Sequence, residues 1–214
     1  MRKLTILIGF LLTGYLGIAQ TEAAAKALLD EVNKTMKAYK NIYIDFEYAL
    51  DNKAEKVQQK NEGNATLEGD KYRVNLFGTT QIYDGKKTYT IIPENEEVNI
   101  SLLDEDNDNS FTPSKFYSFY QKGYKFSMLS AKDSPGKNIQ LVQLTPIKLD
   151  TETQKIVIGI DSKTKHIANI TETGKNGTQT KLTVKKFVTN QTLQPGTFTF
   201  DTKKYKSLGY MIND

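Results

Sequence analysis

The chain has 214 residues, with 29 Lys and Arg against 25 Asp and Glu, and it contains one His, no Cys and no Trp. Without Cys it forms no disulfide, thiolate zinc site, Cys nucleophile or lipid anchor on an N-terminal cysteine. The nearly balanced charge argues against nucleic acid as a partner. At about 150 residues per domain, the length favours one domain.

The first nineteen residues have the pattern of a signal peptide. Arg2 and Lys3 precede an apolar run from Leu4 to Leu16, and small residues precede Gln20. The run is shorter than the ~20 residues that span a bilayer. We therefore expect cleavage after Ala19, export from the cytoplasm and a single mature domain over residues 20–214.

One amphipathic helix is predicted directly after the leader. Thr21 is a suitable N-cap, and charged residues occupy the opposite helix face. Apolar residues recur at helical spacing. They are Ala25, Leu28, Leu29, Val32, Met36 and Tyr39. The helix is expected to lie against an apolar surface.

From Ile42 the apolar period changes to two, which predicts a long antiparallel sheet with one wet face. Asp84-Gly85 and Asn176-Gly177 are hairpin signals. About eleven strands follow, with Phe198 and Phe200 in the last. Pro113 is expected to open a short inserted helix with an aromatic face. This face consists of Phe116, Phe119 and Tyr120.

The predicted sheet has to bury its apolar face, and only two helical pieces are available to cover it. Eight strands already form a barrel whose interior side chains can fill, and eleven enclose more volume. The pattern therefore predicts a mostly β fold with a curved, unclosed sheet, an apolar cavity and a helical cover. The alternative is that the helices fill the space completely.

The residues give little support for catalysis or metal binding. His166 has no second His beside it and is expected to be a solvated turn residue. Asp104, Asp106 and Asp108 lack the Gly and Glu that a calcium loop needs. No nucleophile motif is present. We expect neither an enzyme nor a bound metal or cofactor.

The order of these features resembles the LolA family of periplasmic outer-membrane lipoprotein carriers. The likeness covers about residues 21 to 205. The segments that carry it are Ile44-Asp45-Phe46, Gly63-Asn64-Ala65-Thr66-Leu67, Tyr72-Arg73-Val74, Ile82-Tyr83-Asp84-Gly85-Lys86, Thr88-Tyr89-Thr90-Ile91-Ile92-Pro93 and Phe198-Thr199-Phe200. The resemblance implies an unclosed eleven-strand barrel with a helical lid, which carries acylated lipoproteins from an inner-membrane ABC release complex to an outer-membrane receptor.

Under this resemblance, the period of two selects the residues expected to face the acyl chains. They are Ile44, Phe46, Tyr48, Leu67, Tyr72, Val74, Tyr89 and Ile91. The expected lid residues are Leu28, Leu29, Val32, Met36, Phe116, Phe119 and Tyr120. The family's basic residue between its second and third strands is not matched, because Glu68 to Tyr72 contains no Arg or Pro. We expect a monomer without a cofactor.

Two other functions remain open at this point. A periplasmic regulator of the same fold would bind lipids or lipoproteins and signal through a partner. An enzyme acting on lipid or glycan is disfavoured by the missing nucleophile and the single His.

Overall fold

The structure is a computed structural model that describes residues 5–102, 119–130, 136 and 138–214. Side chains are described from Thr21 onward within these ranges, except that of Phe119. The predicted lid residue Phe116 and the helix start predicted at Pro113 lie outside the described residues.

The described part of the chain is mostly β, as predicted. Its helices are α1 (Thr5–Lys37), α2 (Thr202–Ser207) and two single 3₁₀ turns (Pro93–Asn95 and Phe119–Gln121). Its strands are β1 (Ile42–Asn52), β2 (Val57–Glu68), β3 (Lys71–Leu76), β4 (Thr79–Tyr83), β5 (Lys87–Ile92), β6 (Glu97–Leu102), β7 (Tyr124–Met128), β8 (Ile139–Pro146), β9 (Thr153–Asp161), β10 (Ile167–Gly174), β11 (Gln179–Thr189) and β12 (Met211–Asn213).

All twelve strands belong to one sheet, in the order β12-β6-β5-β4-β3-β2-β1-β11-β10-β9-β8-β7. Neighbours are antiparallel except β12, which runs parallel to β6. In the described chain β7 and β12 are the two edges and do not pair with each other, so the sheet is open. The predicted unclosed antiparallel sheet is confirmed.

One core cluster extends along most of the sheet, from β4 to β7. Tyr83 of β4 is buried in the same cluster as Tyr120, against which Phe126 of β7 packs. Strands β4 and β7 are eight strand spacings apart, about 38 Å in a flat sheet at ~4.8 Å per strand. We call the face that this cluster and α1 share the inner face.

A second, smaller cluster lies on the opposite, outer face of β4, β5 and β6. The register pairs Ile82 with Tyr89, and Ile91 with Val98. We call it the outer cluster, and it consists of Ile82, Ile91 and Val98 with Tyr89, Ile100, Phe200, Tyr205, Tyr210 and Ile212 packed against them. The C-terminal segment therefore covers the outer face of this part of the sheet.

Three details differ from the sequence prediction. Helix α1 begins at Thr5, so Thr21 lies inside it and is not its cap; no Pro interrupts residues 5–37, and the apolar residues of the leader tolerate helix. Phe198 and Phe200 lie in a turn and an irregular segment instead of a strand. The apolar period of two did not mark β4 as a strand, because β4 has too few apolar residues to show it.

Helix α1 is the longest helical segment in the described part of the chain. Among the described residues, no helix combines the length and apolar character needed to cross a membrane.

Candidate functional site

An apolar hollow of about 250 Å³ lies on the inner face of the sheet. Apart from the Tyr48 hydroxyl, Gln81 is the one polar group among its lining side chains, and Gln81 Oε1 accepts a hydrogen bond from the Tyr72 hydroxyl at 3.1 Å. The hollow is lined by Ile44, Phe46, Tyr48, Ala65, Leu67, Val74, Leu76, Gln81 and Leu182. Such a surface offers few polar partners to a charged group, but it suits hydrocarbon.

Helix α1 covers the inner face beside this hollow. Five residues of its apolar face are buried in the same core cluster as the strands. They are Ala25, Leu28, Leu29, Val32 and Met36. A smaller void under Met36 borders Ile44 and Leu67, which also line the hollow. The C-terminal half of α1 therefore lies beside the hollow, next to two of its lining residues.

Tyr120, in the 3₁₀ turn Phe119–Gln121, holds the middle of α1. Its hydroxyl donates a 2.7 Å hydrogen bond to the Leu29 carbonyl oxygen, and its ring meets Phe126 edge to face. Burial raises the pKa of Tyr120 to about 12, with a smaller contribution from Asp30. The phenol is therefore neutral at ordinary pH and acts as a donor to the helix.

The C-terminal end of α1 is held by the turn between β9 and β10. The Tyr39 hydroxyl and His166 Nε2 are 2.8 Å apart, and the His166 ring stacks on Phe187 with centroids 3.9 Å apart. Burial lowers the pKa of His166, although Asp161 acts in the opposite direction. Lys165 forms a 2.9 Å ion pair with Glu31 of α1.

His166 therefore differs from its predicted role as a solvated turn residue. It is half-buried between Tyr39 and Phe187. The sequence shows no sign of this contact, because the three residues come together only after β9, β10 and β11 pair around β1.

One buried polar atom of α1 lacks a partner. Oδ1 of Asn33 is inaccessible to solvent and has no hydrogen-bond partner in the described part of the chain. An unpaired buried acceptor costs ~1–3 kcal/mol. Apolar contacts, together with a few polar contacts, thus attach helix α1 to the sheet. The unpaired acceptor of Asn33 lowers the stability of this attachment.

The structure brings most of the predicted acyl-facing residues together. Ile44, Phe46, Tyr48, Leu67 and Val74 line the hollow. Tyr72 lies on the same face but is buried in the core next to Tyr83, where its ring stacks. Sequence reasoning did not select four lining residues, which are Ala65, Leu76, Gln81 and Leu182.

Tyr89 and Ile91 are corrections to the predicted set. Both belong to the outer cluster, where Tyr89 stacks on Phe200 and donates a hydrogen bond to Asp84 at 3.0 Å. Their period of two is real, but both faces of β5 are covered, so alternation alone does not identify the inner face. They lie on the far side of the sheet from the hollow.

The predicted lid residues have mixed positions. Leu28, Leu29, Val32 and Met36 face the inner surface from α1, and Tyr120 contacts α1 from the 3₁₀ turn. Phe119 lies in that turn, but its side chain is not among those described, and Phe116 lies outside the described residues. A lid function for these residues remains a prediction.

In the described residues, no group of three or more His, Asp or Glu side chains could hold a metal ion. Asp161 has a lowered pKa, but the cause is a pair of backbone N–H donors from Thr164 and Lys163 in a turn. The Asp161 carboxylate therefore stabilises the turn.

The sequence matches a known family over most of its length. The model of a family described as outer membrane lipoprotein carrier protein LolA matches residues 19–176. The chain belongs to this family. Among curated proteins, no sequence match was found.

Solved structures are similar to this chain at low sequence identity, and the first of the following three shares its fold. An uncharacterized conserved protein from Thermus thermophilus is 10% identical, with a TM-score of 0.58 over 85% of this chain and 96% of that one. A LolA superfamily protein from Nitrosomonas europaea is 10% identical, with a TM-score of 0.42 over 82% and 97%. A DUF1329 family protein from Desulfovibrio piger is 9% identical, with a TM-score of 0.49 over 86% and 99%.

Proposed function

We propose that this LolA-family protein is a periplasmic carrier that shields the acyl chains of lipoproteins and transfers them from the inner to the outer membrane. The observation that carries the proposal is the apolar hollow on the inner face, bordered by a helix whose apolar side is itself buried there. Family membership supports the lipoprotein as cargo. An inner-membrane ABC complex would release the lipoprotein, and an outer-membrane receptor would accept it.

The energetics of acyl chains make such a shield necessary. Each CH₂ removed from water contributes about 0.8 kcal/mol, so a lipoprotein does not leave a membrane unless a protein replaces the bilayer. The hollow of about 250 Å³ is below the ~300–1,000 Å³ of ordinary small-molecule sites. Several long chains therefore require α1 to move outward from the sheet.

A helix that occupies the acyl-binding surface in the empty protein also makes release of the lipoprotein possible. Burial of Leu28, Leu29, Val32 and Met36 against the sheet competes with the acyl chains for the same surface. The net affinity is the acyl-chain contact minus the cost of displacing α1. A moderate affinity allows delivery to a receptor that binds more tightly.

The first test changes one face of the sheet at a time. Val74 lines the hollow and is half-buried, and Ile100 is a half-buried residue of the outer cluster. Val74→Asp places a carboxylate against the acyl chains, so capture of a triacylated lipoprotein should fall at least about tenfold. Ile100→Asp serves as the matched control and should keep capture.

The assay is release of a radiolabelled lipoprotein from membrane vesicles into a soluble complex, with folding of each variant checked by circular dichroism. Equal capture by folded Val74→Asp and wild-type protein would contradict the proposal. Enzymatic turnover of the lipid would also contradict it.

The proposed export has its own test. Residues 1–19 are proposed to be removed, so mature protein isolated from the periplasm should begin at Gln20. N-terminal sequencing or intact-mass measurement checks the site, and a mature chain that retains Arg2 and Lys3 would contradict it.

A further inference from the structure

Among the described strands, none covers one edge of β2 over its N-terminal part. Its pairing with β1 extends from Leu67 to Val57, but its pairing with β3 stops at Asn64, opposite Asn75. In the described part of the chain, residues 57–62 therefore have a strand on one side only. We call this stretch the free β2 edge.

The sheet register shows which backbone groups point outward from this edge. Asp84 N donates to Lys87 O, which marks these two residues as a hydrogen-bonded pair. Hydrogen-bonded and non-hydrogen-bonded pairs alternate in antiparallel ladders, and the registers carry this alternation through β4 and β3 to β2. The N–H and C=O groups of Gln58, Lys60 and Glu62 consequently point away from β1.

These three residues are accessible. Their side chains are all exposed, and the charges near the edge include both signs. Glu47 lies 3.4 Å from Lys185 and 4.0 Å from Lys60. The edge therefore offers backbone hydrogen bonds without a strong preference for a charged partner.

A groove borders this edge and shares two lining residues with the hollow. It has a volume of about 490 Å³ between the edge and the β3–β4 turn, and its lining includes Glu62, Gly63 and Lys185. Phe46 and Leu76 line both the groove and the hollow. A molecule with hydrocarbon in the hollow would thus have its remaining part directed into the groove.

We propose that the free β2 edge binds the extended polypeptide segment that follows the acylated residue of the cargo, as an added β-strand. This proposal rests on the proposed carrier function, because it places the acyl chains in the hollow. Pairing through backbone groups accepts segments of different sequence. It also satisfies an exposed edge that would otherwise be available for self-association.

The test removes one outward-pointing N–H. Lys60→Pro deletes the donor, and Lys60→Ala is the matched control that loses the same side chain and its ion pair but keeps the N–H. Proline is tolerated on an edge strand where its nitrogen faces solvent. Three probes are used: a triacylated cysteine with a ten-residue peptide, the same molecule with alternate peptide amides N-methylated, and the triacylated cysteine alone.

In the expected result, Lys60→Ala binds the triacylated peptide like the wild-type protein, and Lys60→Pro binds it at least about fivefold more weakly. N-methylation should weaken binding to the wild-type protein similarly. All proteins should bind the triacylated cysteine alone equally. Amide hydrogen exchange at Gln58, Lys60 and Glu62 should slow only with the unmethylated peptide.

Other results separate the two proposals. If no protein binds the triacylated cysteine, the carrier function fails. If all bind it but neither Lys60→Pro nor N-methylation weakens peptide binding, only the strand-addition proposal is overturned. A change in oligomeric state for Lys60→Pro without a change in peptide affinity would assign the edge to a second copy of this chain and would also overturn it.

Discussion

His166 links the end of α1 to the sheet, and its protonation is expected to weaken that link. Burial places the pKa of folded His166 below its ordinary value of 6.5. Between these two pKa values the unfolded chain binds more protons, so stability rises with pH there and is lost as pH falls through the folded pKa. The free energy of unfolding should thus decrease as the pH falls below about 6.5.

The measurement for His166 is denaturant unfolding at several pH values. His166→Gln removes the titration but keeps a side chain that bonds to Tyr39, so it should lose less stability than the wild-type protein over this range. Tyr39→Phe removes the 2.8 Å contact but leaves His166 titratable. Identical pH profiles for the wild-type protein and His166→Gln would refute a role for His166.

Gly63 makes room for the Phe46 ring at the border of the hollow. A Cβ at Gly63 would lie 2.6 Å from Cζ of Phe46 and 2.8 Å from the Asn75 carbonyl oxygen. Because that oxygen belongs to the backbone, Gly63→Ala should cost ~1–3 kcal/mol and push Phe46 toward the hollow. Gly136→Ala is a suitable control, since its Cβ would meet Ile139 at 3.7 Å, an ordinary van der Waals contact.

For Gly63→Ala, thermal unfolding measures the stability, and the affinity for the triacylated peptide reports whether the hollow still accepts acyl chains. We expect both to fall, whereas Gly136→Ala should change neither appreciably. An unchanged melting temperature for Gly63→Ala would mean that the sheet relaxes around the new methyl group.

Helix α1 is the part of the molecule expected to move, and Tyr120 restrains it. Tyr120→Phe removes the hydroxyl bonded to the Leu29 carbonyl but keeps the ring. The variant should lose ~0.5–1.5 kcal/mol of stability. It should also load acyl chains faster, because α1 leaves the sheet more easily. Stopped-flow binding of a fluorescent triacylated peptide checks the rate, and slower loading would contradict a restraining role.

Asn33 affects the same helix in the opposite direction. Asn33→Leu replaces the unpaired buried Oδ1 by an apolar group of similar branching, so α1 should bind the sheet more tightly. We expect stability to increase by ~1 kcal/mol and the affinity for acyl chains to decrease. Urea unfolding and equilibrium binding measure the two effects. A less stable variant would show that Leu does not fit the site.

The sequence alone predicted the buried side of α1 but not the inner face of β5. The helical period of Leu28, Leu29 and Val32 identified the buried side of α1, because a helix on one sheet has a single apolar stripe. The period of two on β5 did not identify the inner face. Tyr89 lies on the outer side, where the C-terminal segment covers it. The sequence of β5 gives no sign of a contact with residues so far along the chain.

One sheet supports two separate cores in the described part of the chain. The inner core includes the hollow and α1, and the outer cluster joins the C-terminal segment to β4, β5 and β6. Because the strands between them carry alternate side chains to the two faces, a change in one core should affect stability without changing the site in the other.

A pair of truncations tests this separation. Leu29 is 1% exposed in the inner core, and Tyr205 is half-buried in the outer cluster, stacked on Phe200. Leu29→Ala should cost ~2–5 kcal/mol, and Tyr205→Ala should cost less because its ring is only partly buried. Only Leu29→Ala should also raise the amount of acyl chain bound, since it weakens the contact of α1 with the sheet.

Stability is measured by chemical unfolding, and loading by equilibrium binding of the triacylated peptide at a temperature where both variants are folded. If Tyr205→Ala changes acyl-chain loading as much as Leu29→Ala does, the two cores are coupled through the sheet. The C-terminal segment would then control the hollow from the opposite face.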